Sequence, residues 1–173
     1  MLKIIDAKDS LSVQVHPDDA YAAENGENCQ AKTEMWYILD ADAKSQLVYG
    51  FNKDIDTEEF EAAIKGGTLL DTLNFVDAEE GDAFFIEGGT VHAIGKGLLI
   101  AEIQQNSNTT YRVFDWNRVG TDGKPRDLHI KQALEVASTE SSVGNEKMPA
   151  LIVESENSKR TFIACCKYFA IKI

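Results

Sequence analysis

Residues 79–105 read EEGDAFFIEGGTVHAIGKGLLIAEIQQ. Short apolar runs alternate with glycine turns, and no stretch repeats at the helical period, which predicts successive antiparallel strands. The same reading extends outward. TEMWYILD (33–40) and SQLVYGF (45–51) are strands by their aromatic and branched content. LKIIDAKDSLSVQVH (2–16) predicts a strand, a turn over Asp6–Asp9 and a second strand that Pro17 closes, because proline cannot donate to a ladder. Residues 18–33 are polar, carry the turn signal Asn25-Gly26, and read as a loop with a helical turn.

The period changes over 56–75. Phe60, Ala63 and Ile64 fall at i, i+3, i+4, Asp56 with Glu59 forms a capping pattern and Gly66-Gly67 a stop, so a short helix is expected there and a second in TLLDTLNF. DLHIKQALEVA predicts a third, starting at Asp127, with Leu128, the Lys131 stem and Leu134 on one face. STESSVGNEKMP (138–149) is a linker by composition. The following ALIVESENSKRTFIACCKYFAIKI reads as strands with no core of their own, either the start of a second sheet unit or a tail that pairs with the main sheet.

The 173 residues suit one ordinary domain and a fragment of a second. A net charge of −12 and the lack of a basic cluster argue against nucleic acid or an anionic membrane surface as partner, so any anionic substrate needs a local group of Lys and Arg. Three cysteines, two of them adjacent, suggest no disulfide framework. No apolar run reaches the roughly 20 residues of a membrane span, and MLKIIDAKDS lacks the pattern of a secretory signal, so a cytoplasmic protein is expected.

Alternation along the first strands puts Leu11, Val13 and Val15 on one face and Ser12, Gln14 and His16 on the other. Glu34 shares a face with Trp36 and Ile38, so a carboxylate stands beside large apolar groups, a costly placement that a cation resolves. His92 lies among glycines that allow its ring to be aimed by the backbone. Two imidazoles, a carboxylate and an amide oxygen suit a borderline divalent metal, zinc above all, although each residue alone also fits ordinary packing or a wet sheet face.

GDAFFIEGGTVHAIGK (81–96) resembles the second motif of the cupin superfamily, with Gly81, Gly89 and His92 in register, Glu87 where proline is usual and Lys96 where asparagine is common. VQVHPDDAYA, KTEMWYIL, GGTVHAIGKG, QQNSNTTYRVFDWNR and LHIKQALEV together resemble the short bacterial type I mannose-6-phosphate isomerases. That resemblance implies a cupin-type antiparallel β-barrel (jelly roll) with a small helical insertion, and one Zn2+ per chain held by Gln14, His16, Glu34 and His92. It also implies interconversion of mannose 6-phosphate and fructose 6-phosphate by proton transfer through a cis-enediol, with Arg112 lining the substrate cavity.

Within that reading Glu102 is the first choice for the proton carrier, and Lys32, Arg118 and Lys96 are the basic residues open to the phosphate, Lys32 foremost. Residues 1–137 are expected to form the catalytic cupin unit, lacking N-terminal strands, with its insertion at about 56–75; 138–149 are the linker, and 150–173 the start of a truncated second cupin. The rivals are a metal-binding cupin of another class, such as a dioxygenase, and a sugar-binding cupin without turnover.

Overall fold

The structure is a computed structural model. It describes residues 1–121, 123–144, 146–149, 151–155 and 158–172, without the side chains of 151–155, 158–160, 162 and 172.

Two antiparallel sheets form the body. The first has the order β1-β8-β3-β6 and comprises β1 (Leu2–Ala7), β8 (Leu98–Gln104), β3 (Glu34–Ala41) and β6 (Ala83–Ile86). The second has the order β5-β4-β7-β2-β9, from β5 (Leu73–Asp77), β4 (Gln46–Phe51), β7 (His92–Ala93), β2 (Val13–Val15) and β9 (Tyr111–Phe114). The mainly β, antiparallel expectation holds. Among the described residues the two sheets are separate ladders, with β1 and β6 the edges of the first and β5 and β9 those of the second, and no closed barrel is formed.

The core is layered. Between the sheets lie Trp36, Ile38, Leu47, Phe84, Ile86, Ile94, Leu98 and Ile100. Behind the second sheet, Val13, Val15, Val48, Phe51 and Val113 pack on Phe60, Leu69 and Ala133 from the helices. Fully burying a large apolar side chain contributes about 1.5–3 kcal/mol, and Trp36, Phe51, Phe60 and Phe84 each have no exposed surface.

The helices largely follow their sequence signals. α2 (Thr57–Gly66) is capped by the Asp56 side chain, which accepts from Glu59 N at 2.7 Å, and stops at Gly67, whose φ of 71° suits glycine. α3 (Leu69–Thr72) is one turn only, and the residues after it join the sheet as β5 instead of continuing the helix. α1 (Asp19–Asn25) is longer than the single turn expected, because Asp18 accepts from Tyr21 N at 2.8 Å and caps it. α4 (Ile130–Val136) starts three residues later than the Asp127 start expected and has no side-chain cap; Leu128 stays exposed. The apolar stripe that docks is therefore Ile130, Ala133 and Leu134.

After the 138–149 segment, β10 (Leu151–Ser155), β11 (Ser158–Cys165) and β12 (Ala170–Lys172) make an antiparallel sheet of their own. Ile163, Ala164, Phe169 and Ile171 pack on Met35, Tyr37, Ala83 and Phe85, covering the outer face of the first sheet. All three cysteines are free thiols. Among the described residues no helix is long and apolar enough to cross a membrane.

Candidate metal centre

Strand register builds the site. On the first sheet, Lys3, Glu102, Trp36 and Phe84 form one cross-strand row, and Gln104, Glu34 and Ile86 the next. On the second, Tyr49, His92, Gln14 and Arg112 form a row across β4, β7, β2 and β9. The rows face each other: the Trp36 and His92 rings meet edge to face at 5.3 Å, and the His16 and His92 rings lie 4.8 Å apart.

Ligating atoms of His16, Glu34 and His92 all lie within 4.8 Å of one another, and all three residues are buried. Each imidazole is oriented by its other nitrogen, with His16 Nδ1 2.9 Å from Thr109 O and His92 Nδ1 2.8 Å from Thr90 O. A ring that donates Nδ1–H to a carbonyl presents its Nε2 lone pair when neutral, so both lone pairs point to the shared space. Gln14 completes the group, its amide 3.3 Å from His92 Nε2. Half a turn of that amide would present its oxygen there in place of the nitrogen.

The carboxylate is positioned as firmly. Trp36 Nε1 donates to Glu34 Oε2 at 2.9 Å, while Oε1 lies 2.6 Å from Lys32 Nζ and 3.3 Å from His16 Nε2. The lysine contact is an ion pair without hydrogen-bond angles, so Glu34 Oε1 is a buried acceptor with no hydrogen bond. Burial alone would raise the Glu34 carboxyl, but His16, 3.3 Å from Oε1, followed by His92 and the Lys32 ammonium, hold it far below the usual carboxylate range. Burial first, then the neighbouring His16, lowers the His92 imidazole to about 3, favouring the neutral form that ligates. Converging lone pairs and an under-satisfied carboxylate fit a borderline divalent cation.

The other residues singled out from the sequence fall in different places. Glu102 is buried beside Trp36 and takes a 2.8 Å hydrogen bond from Lys3 Nζ, which also donates to Gln104 Oε1 at 2.5 Å. Arg112 stands next to Gln14; its Nη1 donates to Asp127 O at 2.9 Å and its Nε is buried without a partner. Lys32 touches the ligands themselves. Arg118 is bound to Asp115 beyond the end of β9. Lys96 is not brought to the centre. It precedes Leu98 at one end of β8, and six residues of strand, about 20 Å, separate Leu98 from Gln104, the partner of Glu34, at the other. It lines a separate cavity of about 420 Å³ with Asp42, Lys44 and Trp116.

Lys3, Gln104 and Arg126 were not singled out from the sequence. Lys3 sits in an apolar strand, and only its register opposite Glu102 turns it inward to the site.

No family model matches the chain. Over 178 residues it is 42% identical to mannose-6-phosphate isomerase ManA of Bacillus subtilis, covering 99% of this chain and 53% of that protein. It is 46% identical over 136 residues to the mannose-6-phosphate isomerase of Streptococcus mutans, covering 79% of this chain and 42% of that one. The crystal structure of the mannose 6-phosphate isomerase from Bacillus subtilis superposes with a TM-score of 0.88 at 33% identity, over 99% of this chain and 54% of that chain. A phosphomannose isomerase mutant from Salmonella typhimurium shares the fold, at 16% identity and a TM-score of 0.72, over 99% of this chain and 61% of its own. The chain spans about half the length of the curated relatives it matches. It is a homologue of the mannose-6-phosphate isomerases, and its fold is theirs over the part that it spans.

Proposed function

We infer that this chain carries the metal-binding part of a cytoplasmic mannose-6-phosphate isomerase, with one Zn2+ held by Gln14, His16, Glu34 and His92. The observation that carries this reading is the convergence of two oriented imidazoles and a buried carboxylate within 4.8 Å. The preference for zinc over iron rests on the two nitrogens and on an amide where a further histidine would suit a dioxygenase. Bound zinc would supply positive charge to the C1 and C2 oxygens of the sugar.

The chain's own groups provide the rest. Arg112 adds a guanidinium beside Gln14, suited to the negative oxygen that develops as the aldose becomes a ketose. Moving a proton between C1 and C2 on one face of a cis-enediol needs a single fixed carboxylate. Glu102 meets that need: it is buried, stands in the row next to that of Glu34 on the first sheet, and Lys3 fixes its orientation. The separate β10-β11-β12 sheet supports reading 1–137 as the catalytic unit, 138–149 as a linker and 150–173 as the start of a second cupin unit.

Metal analysis of protein prepared without added metal, together with an isomerase assay, tests the reading. The expected result is zinc near one per chain and turnover of mannose 6-phosphate that a chelator removes. Iron in the site, or sugar binding without turnover, would replace it.

A further inference from the structure

Two tight turns carry large side chains where glycine or asparagine is favoured. The turn 42–45 is closed by Ser45 N donating to Asp42 O at 3.0 Å, and its third residue, Lys44, has a φ of 65°. The turn 115–118 is closed by Arg118 N donating to Asp115 O at 3.0 Å, and both central residues are left-handed, Trp116 at 55° and Asn117 at 54°. Asparagine suits such a position, whereas lysine and tryptophan are strained in it. Among the described residues these are the three non-glycine residues with positive φ. Lys44 and Trp116 line one cavity, that of about 420 Å³ which also takes Lys96. Backbone strain of this kind collects where a ligand is held.

The walls of this cavity are fixed. Gly95 lies so close to β4 that a Cβ on it would stand 1.7 Å from Gln46 O. Ser45 Oγ donates to Lys96 O at 2.9 Å and ties the turn 42–45 to the segment that carries Lys96. Trp116 Nε1 donates to Leu11 O at 2.7 Å and its ring meets that of Phe114 edge to face at 5.4 Å, so the indole is held in one orientation. Phe75, 40% exposed, adds a second aromatic ring to the lining.

The polar groups of the lining call for particular partners. Elsewhere cations are spent: Arg118 and Arg126 clamp Asp115, Lys32 faces Glu34 and Lys3 binds Glu102. Among the described residues the Lys44 and Lys96 ammoniums have no ion pair or hydrogen bond. Two such groups at one cavity, in a chain of net charge −12, suit a dianion such as a phosphate monoester. Asp42 is the carboxylate of the lining, and its side chain is also without a hydrogen bond among the described residues. A carboxylate only accepts, so it asks for a ligand that donates, as sugar hydroxyls do. Trp116 and Phe75 offer rings on which a flat base stacks.

We propose that this cavity is a second small-molecule site, separate from the metal centre, and that it takes a nucleoside monophosphate. The base lies on Trp116 and Phe75, the ribose hydroxyls donate to Asp42, and Lys44 and Lys96 hold the phosphate. The volume suits a ligand of that size. Gln14, His16, Glu34 and His92 do not line the cavity, so the site does not rest on the isomerase reading.

Calorimetric titration with adenosine 5′-monophosphate, with indole N–H spectra recorded alongside, tests this on the protein and on Lys44→Gly and Lys96→Gln. The chain has two tryptophans; the Trp116 signal should move with the nucleotide, and that of Trp36, buried between the sheets, should stay. Lys96→Gln weakens binding about fivefold or more, the scale of a hydrogen bond to a charged group. Lys44→Gly weakens it as much while its denaturant midpoint stays equal or rises, because glycine relieves the left-handed turn. A lysine kept only for the turn would not separate those two readouts. Adenosine and inorganic phosphate, each lacking half of the ligand, bind at least about tenfold more weakly than the nucleotide, about 1.4 kcal/mol. Four results overturn the site: no nucleotide binding, binding as tight in both variants as in the parent, adenosine or phosphate binding as tightly as the nucleotide, or a Lys44→Gly protein less stable than the parent.

Discussion

Lys32 Nζ lies 2.6 Å from Glu34 Oε1, and both side chains are buried. Without a metal, this ammonium is the group that offsets a carboxylate with no exposed surface. Removing one partner of a buried pair costs about 3 kcal/mol or more. Metal-free Lys32→Met should therefore unfold at clearly lower denaturant than the metal-free parent, and added zinc should recover most of the difference. Equal stability of the two metal-free proteins would show that Glu34 is satisfied in another way.

The Gly88-Gly89 turn holds the two histidine segments together. Gly89 N donates to His16 O at 2.8 Å, and a Cβ on Gly88 would stand 2.7 Å from Asp18 Cα and 2.8 Å from Pro17 O. Both near neighbours are main-chain atoms and cannot swing aside. Gly88→Ala should separate His16 from His92 and lower zinc affinity by at least about tenfold, consistent with the usual cost of disturbing groups that orient ligands. A competition titration against a zinc chelator measures this, and unchanged affinity would remove the turn from the account.

Acid should reveal the Asp115 clamp. Hydrogen bonds from Arg126 and, against the effect of burial, from Arg118 hold its carboxyl down at about 2, below the 3.8 of a free aspartate. A depressed carboxyl contributes stability that is fully present above the unfolded value and is lost as pH falls through the folded one. The loss should thus run from about pH 4 toward pH 2, and Asp115→Asn should flatten that part of the stability profile. Denaturant midpoints at pH 5, 4 and 3 provide the test; parallel profiles would contradict it.

How much of this was legible in the sequence differs between strands and site. Alternation in VQV and in EMWYI, with the glycine-punctuated run 79–105, was enough for antiparallel strands and for grouping Gln14 with His16, and Glu34 with Trp36, on one strand face each, because strand period is a local property. The Asp56 cap and Gly67 stop were legible for the same reason. α4 was misplaced because Asp127 looks like a cap, yet its carbonyl takes the Arg112 guanidinium and the helix starts after His129. The Lys3–Glu102 pair spans 99 residues and depends on register, which alternation alone does not give. Lys96 already stands further from the metal blocks in the sequence than Lys32, Arg112 and Arg118, and it precedes Leu98, at the end of β8 away from Gln104 and its partner Glu34. Arg126 gave no signal of its own, since the residue that recruits it, Asp115, lies eleven positions earlier.

The most direct measurement is diffraction at the zinc absorption edge from crystals of zinc-loaded protein. The account predicts one anomalous peak per chain about 2.0–2.2 Å from Nε2 of His16, Nε2 of His92 and a Glu34 carboxylate oxygen, with the Gln14 amide oxygen turned toward it. A peak elsewhere, or none at stoichiometric zinc, would contradict it.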